Sequence, residues 1–323
     1  MSLNVEPKDI LEAFKIIRTY LRETPFEYSP LLSERVCSRV FLKLENFQLT
    51  RSFKARGALN LMLNIRRKEG INEVITASSG NHAQGIAFAS RILNMKATIV
   101  VPESCPETKK KAIKAIGGEN VILLEHGDIY DEAEEEAMKI ASKKGIPFVP
   151  PAEHRLIMAG AGTVGLEMML ENPDLDMILV PAGAGGLILG IATIVKALNP
   201  RIKIYGVQSE ASPPWYYSWK EGKLVEVKIE ESLADGLSGG IKEEMLELAK
   251  TRVDDFLLVS EEEIAEAMKY SIMELHQVVE GAGAVGLAAI LSGKINVRDK
   301  RVGVVISGGN VDSKTIARIL SDG

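Results

Sequence analysis

A chain of 323 residues is long enough for two domains or for one large α/β domain. Hydrophobic residues make up 46% and charged residues 26%, as in ordinary globular proteins, and the net charge of −5 argues against a nucleic-acid-binding face. The acidic net charge favours a small molecule as the partner. The scattered cysteines and histidines predict reduced thiols and no metal centre, and the absence of a signal segment predicts a cytoplasmic protein.

The first predicted element is an amphipathic helix over residues 7–22, where apolar side chains recur at helical spacing. A strand over residues 40–44 then leads to Ser52-Phe53-Lys54-Ala55-Arg56-Gly57-Ala58, which opens a second helical run. Lys54 lies there between an aromatic ring and a second cation, a setting that could hold a deprotonated amine for attack on a carbonyl. The alternative is a solvated helix edge with Phe53 as a core anchor.

From residue 66 to residue 149 the pattern alternates between short strands and longer helices. The strands are predicted at 74–77, 97–101 and 121–124, and the helices near 82–94, 106–116 and 128–144. Pro106 and Asp128 are expected to mark the starts of the last two helices. This alternation predicts a parallel sheet, so residues 66–149 are assigned to a small inserted domain.

A second alternating series follows Pro150-Pro151. It comprises helix 156–171, strand 177–181, helix 187–198, strand 202–208, helices near 261–278 and 285–292, and strand 302–306. The uncharged segment 177–195 approaches the length of a membrane span, but Pro181 and the glycines after it divide it into a strand, a loop and a helix. Residues 1–65 and 150–323 are therefore predicted to form a large domain, in an α/β fold of two doubly wound domains that does not span a membrane.

Ligands of parallel α/β sheets bind beyond the carboxyl ends of the strands, which directs attention to the loops there. One such loop is Ser78-Ser79-Gly80-Asn81-His82-Ala83-Gln84-Gly85, which enters a helix. Its hydroxyls, its amide and the helix N–H groups could bind a carboxylate or phenolate oxygen. A helix cap followed by a tight turn is the alternative interpretation.

Two further strand ends carry polar or glycine-rich loops. Gly183-Ala184-Gly185-Gly186-Leu187 could bind a phosphate through backbone N–H groups, although it lacks the Gly-Lys-Ser/Thr end of a P-loop. Ser307-Gly308-Gly309-Asn310 offers a serine that could cap a helix or bond a buried ring nitrogen. The runs at 160–165 and 281–286 match GxGxxG but follow no clear strand, so they are interpreted as helix-packing or turn glycines.

Taken in order, the motifs at 52–58, 79–85, 183–186 and 307–310 resemble those of the fold type II pyridoxal-phosphate enzymes. The resemblance is specific to the threonine/serine dehydratase and serine racemase family, extends over about residues 42–312, and is nearest to the short catabolic-type threonine dehydratases. It implies an active site between the two domains and a homo-oligomer, either a dimer or a tetramer.

The resemblance also implies a role for each motif. Lys54 would carry pyridoxal 5'-phosphate as a Schiff base, Phe53 would pack against its ring, Asn81 would bond its phenolic oxygen and Ser307 would face its ring nitrogen. The phosphate would be held by Gly183, Ala184, Gly185, Gly186 and Leu187. The substrate carboxylate would be received by Ser79, Gly80, Asn81, His82 and Ala83.

The implied reaction is the elimination of ammonia from L-threonine, which gives 2-oxobutyrate, or from L-serine, which gives pyruvate, with Lys54 as the base. Such an enzyme would serve amino-acid catabolism or isoleucine biosynthesis. Two alternatives are a racemase that uses Lys54 and Ser79 and a non-catalytic amino-acid sensor on the same scaffold.

The chain departs from the family pattern at three places. Ala184 interrupts a phosphate loop that usually has four glycines, and an alanine is compatible with it only where φ is not positive. Ala161 stands where a glutamine is common. Gln208 and Pro214 lack the charge of the divalent-cation ligands found in many relatives, so that site is expected to be absent or altered.

Overall fold

The computed structural model describes residues 3–321. In that range the strands are β1 (Phe26–Tyr28), β2 (Arg39–Leu44), β3 (Glu73–Ala77), β4 (Lys96–Val101), β5 (Val121–Glu125), β6 (Met177–Pro181), β7 (Lys203–Ser209), β8 (Asp255–Val259) and β9 (Arg301–Ile306). The helices are α1 (Pro7–Ile17), α2 (Pro30–Arg35), α3 (Lys54–Glu69), α4 (Asn81–Leu93), α5 (Glu107–Gly117), α6 (Tyr130–Lys144), α7 (Arg155–Glu171), α8 (Gly186–Leu198), α9 (Pro214–Glu221), α10 (Glu243–Lys250), α11 (Glu261–Met273), α12 (Gly281–Leu291) and α13 (Ser313–Ser321).

The smaller sheet consists of the parallel strands β3, β4 and β5 in that order. Its two faces belong to different hydrophobic cores. Val74 packs in a core with residues of α3 and α4, whereas Ile75 and Ala77 pack with the alanines of α6. Successive side chains of a strand point to opposite faces, so helices cover this sheet on both sides.

The larger sheet has the strand order β1-β2-β9-β6-β7-β8, and every pair is parallel except β1 with β2. Along β6, Ile178 and Val180 face a core with α7 and α8, while Met177 and Leu179 face a core with α12. Strand β2 pairs directly with β9, which joins the two ends of the chain in one sheet. The predicted α/β class with doubly wound parallel sheets is confirmed.

Several predicted boundaries differ from those observed. Helix α1 ends at Ile17 and α11 at Met273, both earlier than predicted. Pro106 lies one residue before α5, and the residue that caps α6 is Ile129, so the prediction that Asp128 caps this helix was wrong. The backbone N–H of Asp128 instead donates to Glu132 Oε2 at 2.6 Å.

The uncharged segment 177–195 forms β6 and most of α8, separated by the glycine loop, as predicted. Within residues 3–321, no helix has both the length and the apolar character that a membrane crossing requires.

The glycines of the run 160–165 lie inside α7 and allow two other helices to approach closely. A Cβ on Gly160 would meet the Arg56 carbonyl of α3, and a Cβ on Gly162 would lie 2.8 Å from the Gly190 carbonyl of α8. In α12, a Cβ on Gly281 would meet the Leu233 carbonyl. The interpretation of both runs as packing glycines is confirmed, and α3 is fixed against α7 as a result.

Candidate active site

The site is organised around the first turn of α3, where Lys54 follows Phe53. The Phe53 N–H donates to the Ser307 carbonyl at 3.1 Å, and Ser52 forms an antiparallel bridge with Gly308. The loop that follows β9 is thereby joined to the start of α3. Phe53, Lys54 and Ser307, which are distant in sequence, lie together, and Ser307 is only 3% exposed.

The Lys54 amine is held in a largely desolvated position. Its Nζ donates to the Pro151 carbonyl at 3.0 Å and lies 5.4 Å from the centroid of the Phe53 ring. Burial lowers the pKa of Lys54 to about 8, although Glu153 and Glu280 act in the opposite direction. A substantial fraction of the amine is therefore neutral near physiological pH, as attack on an aldehyde requires.

The polar loop after β3 leads directly into α4, and Gly80 caps this helix. Gly85 brings α4 against the lysine, because a Cβ there would lie 3.1 Å from both the carbonyl carbon and the carbonyl oxygen of Lys54. His82 Nε2 lies 3.1 Å from the Val149 carbonyl. Burial and the nearby Lys54 lower the pKa of His82 to about 3, so its ring is neutral and Nε2–H donates to that carbonyl.

Three other residues of this loop have distinct surroundings. Ser79 lies close to the thiol of Cys105, whose pKa is raised by burial. Ala83 is fully buried. The Asn81 amide donates from Nδ2 to Glu280 Oε1 at 2.7 Å and accepts at Oδ1 from Asn310 Nδ2 at 2.7 Å.

The glycine loop connects β6 to α8, and Gly185 caps the helix with a φ of +97°. A side chain at Gly185 would be strained, and its Cβ would lie 2.6 Å from the Trp215 ring. Trp215 also stabilises the loop, because its Nε1 donates a hydrogen bond to the Gly183 carbonyl at 2.6 Å. Ala184 is not among the described residues with a positive φ, so its methyl group causes no backbone strain.

The loop also lies close to the lysine. A Cβ on Gly186 would contact Ala152 at 3.3 Å. Ala152 follows Pro151, whose carbonyl accepts the hydrogen bond from the Lys54 amine. Leu187 is buried in the first turn of α8. The N–H groups at this helix start and its dipole together favour an anion such as a phosphate.

Gln208 supports the same loop, a role that no sequence pattern indicated. Its Nε2 donates to the Ala182 carbonyl at 3.0 Å, and its Oε1 accepts from the Trp215 N–H at 2.9 Å. This residue therefore anchors the loop and the tryptophan that supports it. Among the side chains that the structure describes, no group of three or more acidic, histidine or cysteine residues is arranged to hold a metal ion.

Glu280 and Glu153 were also missed as site residues. Both influence the pKa of Lys54, yet neither belongs to a motif that the sequence singles out. Glu280 immediately precedes the glycine run of α12, which is the one sequence signal that could have drawn attention to it.

These residues fit pyridoxal phosphate. A lysine amine of lowered pKa provides the attachment point, and the anion-binding start of α8 lies near it on the other side of Ala152. The Asn81 amide and the buried Ser307 provide neutral polar groups of the kind that suit a phenolic oxygen and a ring nitrogen.

Comparisons with known proteins agree with this geometry. A family model described as pyridoxal-phosphate dependent enzyme matches residues 17–308. The L-threonine ammonia-lyase of Thermotoga maritima is 41% identical over 317 residues, which are 98% of this chain and 78% of that protein. The catabolic L-threonine dehydratase TdcB of Staphylococcus aureus is 41% identical over 320 residues, which are 98% of this chain and 92% of that protein.

Among solved structures, maize serine racemase superposes with a TM-score of 0.92 at 31% identity, covering 98% of this chain and 97% of the racemase. The predicted family and cofactor are confirmed by these matches, which span nearly the whole chain. The chain belongs to the family of pyridoxal-phosphate dependent enzymes.

Proposed function

We propose that the protein is an ammonia-lyase that converts L-threonine to 2-oxobutyrate and L-serine to pyruvate, with release of ammonia. The observation that carries the proposal is the partly buried Lys54 amine of lowered pKa, which lies among the polar loop, the glycine loop and Ser307. Support for the substrate class comes from the two relatives described above, whose names are threonine ammonia-lyase and threonine dehydratase.

Each part of the site would have one task. Lys54 would provide the amine that binds the aldehyde, Gly183 to Leu187 the phosphate-binding turn, Asn81 an N–H for the phenolic oxygen, and Ser307 a contact for the ring nitrogen. When bound, pyridoxal phosphate supplies a conjugated ring that spreads the negative charge left when the substrate Cα loses its proton.

The protein groups would control proton transfer and orientation. With a pKa of about 8, the Lys54 amine can accept a proton from the substrate Cα near neutral pH. The start of α4, from Ser79 to Ala83, would orient the substrate carboxylate through backbone N–H groups and the helix dipole. Ser307 presents a neutral hydroxyl, and unlike a carboxylate it does not favour protonation of a ring nitrogen.

The direct test is to incubate the cofactor-loaded protein with L-threonine and to measure 2-oxobutyrate. Lys54→Ala should abolish both the product and the Schiff-base absorbance, whereas Lys143→Ala, on an exposed face of α6, should leave both unchanged. After borohydride reduction, mass spectrometry should locate the cofactor on Lys54. A loaded protein that forms no 2-oxobutyrate would contradict the proposed substrate.

Racemisation is a second candidate function, favoured by the position of Ser79 in the loop just before α4 and by the similarity to maize serine racemase. A racemase requires a second group that returns a proton to the opposite face of Cα. Ser79→Ala should therefore remove any D-serine formed from L-serine while pyruvate formation continues. If the unsubstituted protein forms no D-serine, this candidate is excluded.

We also propose a domain division and a setting for the enzyme. Residues 1–65 and 150–323, which contain the six-stranded sheet, would form the large domain, and residues 66–149 the small one, with the active site between them. The enzyme would act as a cytoplasmic homo-oligomer in amino-acid catabolism or isoleucine biosynthesis. Limited proteolysis and analytical ultracentrifugation test the domain bounds and the subunit number.

A further inference from the structure

A hydrogen-bond network joins Asn81 to the loop after β9 and to the start of α12. Asn81 Nδ2 donates to Glu280 Oε1 at 2.7 Å, and Asn310 Nδ2 donates to Asn81 Oδ1 at 2.7 Å. The Asn310 backbone N–H donates to Glu280 Oε2 at 3.2 Å, and Asn310 Nδ2 also donates to the Thr50 carbonyl at 2.9 Å. Glu280 is only 7% exposed, so water competes little for these bonds.

The chemistry of the partners determines which way the Asn81 amide points. When Glu280 is ionised, its carboxylate only accepts hydrogen bonds and therefore requires the NH₂ end of the amide. Asn310 offers an N–H donor on the other side and so requires the oxygen end. With the amide reversed, its oxygen would face the carboxylate and its NH₂ group would face a donor, so two favourable contacts would become repulsive.

This arrangement leaves Asn81 one N–H that has no acceptor within the described residues. We propose that Glu280 and Asn310 are positioning residues, which fix the Asn81 amide so that this N–H is available to the phenolic oxygen of the cofactor. The inference rests on the cofactor contact assigned to Asn81 in the proposed function. It adds two residues that do not themselves touch the cofactor and act on it through Asn81.

The protonation state of Glu280 bears on the same arrangement. Burial raises the pKa of Glu280 to about 8, and Asp235 acts in the same direction, while the N–H groups of Asn81 and Asn310 and the charge of Lys109 oppose the rise. Glu280 in turn acts to raise the pKa of the Lys54 amine, so these two groups also interact. The O–H of a neutral Glu280 could donate a hydrogen bond to the amide oxygen, so ionisation of Glu280 strengthens the preference for the observed orientation.

The experiment uses the cofactor-loaded protein without substrate, so that its outcome is independent of which amino acid the enzyme accepts. Glu280→Gln keeps the shape of the side chain but removes its charge and one acceptor, and Asn310→Ala removes the donor on the opposite side. Glu261→Gln is the matched control, because Glu261 accepts hydrogen bonds from Ser232 and Leu233 and none from Asn81. The readouts are the cofactor absorption spectrum, the apparent Kd from titration of the apoprotein, and the Tm.

At about pH 9, where Glu280 with its pKa of about 8 is mostly ionised, both site variants should shift the cofactor absorption band and weaken cofactor binding about tenfold, the scale of one lost hydrogen bond. The control variant Glu261→Gln should change the Tm but neither the absorption band nor the Kd. If both site variants change Tm but leave the band and the Kd as they are in the unsubstituted protein, Glu280 and Asn310 are merely structural and the proposal is overturned. Since the two variants disrupt the network from opposite sides, a folding failure in one leaves the other as the test.

A pH series separates Glu280 from other groups. In the unsubstituted protein the cofactor absorption band should change with pH, with a midpoint near pH 8. In Glu280→Gln this pH-dependent change should be absent, and the spectrum should resemble that of the unsubstituted protein at low pH. Asp235→Asn should move the midpoint to lower pH, because it removes a negative charge that disfavours ionisation of Glu280. A midpoint that is the same in all three proteins would contradict the assignment to Glu280.

Discussion

At Lys54 two opposing effects act on one amine. Desolvation favours the neutral form, the carboxylates of Glu153 and Glu280 favour the charged form, and desolvation is the larger effect because the pKa is lowered to about 8. An unperturbed lysine with a pKa of about 10.4 would have fewer than roughly one neutral amine in a thousand at pH 7. The pocket therefore increases the fraction of reactive amine by roughly two orders of magnitude.

We predict that the rate at which apoprotein combines with pyridoxal phosphate rises with pH and reaches half of its maximum near pH 8. The measurement is stopped-flow absorbance over a pH series. Glu153→Gln should lower this midpoint, because the carboxylate that it replaces favours the charged amine. A midpoint above pH 10, as for an exposed lysine, would show that the pocket does not perturb the amine.

At the scale of single residues, the sequence identified candidate side chains only where they belong to a short motif. Phe53, Lys54 and Ser307 were singled out as candidates because each lies in a run of characteristic residue types, and the structure brings the three together. Glu280 was not found, because its hydrogen-bond partner Asn81 is 199 positions away in the chain. Side chains that are defined only by the partners they meet in space leave no local pattern in a single sequence.

At the scale of elements, alternation of strands and helices predicted most of both sheets but missed β1 and β8. Strand β1 has only three residues, too few to show any periodicity. Strand β8 lies at the edge of the larger sheet, and its apolar run over residues 256–259 has only four residues, too few to distinguish a strand from a buried helix segment by periodicity. Short or half-exposed edge elements are identified by their neighbours more than by their own sequence.

The close contact between α7 and α8 gives a testable consequence. A Cβ on Gly190 would meet the Met158 carbonyl and would lie 2.7 Å from the Gly162 nitrogen, and backbone atoms cannot move aside as a flexible side chain can. We predict that Gly190→Ala lowers the free energy of unfolding by about 1–3 kcal/mol, the usual cost of overpacking. Urea denaturation measures the change.

Gly240→Ala is the matched control for this substitution, because a Cβ at Gly240 has no heavy atom within 4 Å and φ there is not positive. It should change the free energy of unfolding by less than about 0.5 kcal/mol. Equal effects of the two substitutions would mean that α7 and α8 can separate without cost, and the GxGxxG run would then need another explanation.

At the scale of the whole molecule, the fold depends on contacts between residues that precede the smaller sheet in sequence and residues that follow it. Besides the pairing of β2 with β9, a buried ionic cluster joins them. Arg56 Nε lies 2.8 Å from Glu45 Oε2, Arg56 Nη1 lies 2.6 Å from Glu167 Oε1, and Lys43 Nζ lies 2.6 Å from Glu167 Oε2. None of these side chains is more than 4% exposed, and their formal charges cancel.

The cluster also predicts a pH dependence of stability. Burial by itself would raise the pKa of Glu45, but the charge and hydrogen bonds of Arg56 outweigh burial, and the pKa is lowered below that of an unfolded glutamate. A group of lowered pKa stabilises the fold above its unfolded pKa, and this stabilisation is lost as the pH falls through the folded value. The contribution of Glu45 is therefore complete at neutral pH and declines in acid.

Glu167 is the residue whose removal tests the cluster, since it is the carboxylate that pairs with both Lys43 and Arg56. Glu167→Ala would leave two buried cations with Glu45 as their remaining carboxylate in the cluster, and we predict a loss of about 3–5 kcal/mol in the free energy of unfolding at neutral pH. The control is Glu230→Ala, which breaks an exposed pair with Lys228 and should leave that free energy nearly unchanged. If urea denaturation gives the same small change for both substitutions, the cluster does not hold the two parts of the chain together, and the pairing of β2 with β9 and the packing of α3 against α7 must do so.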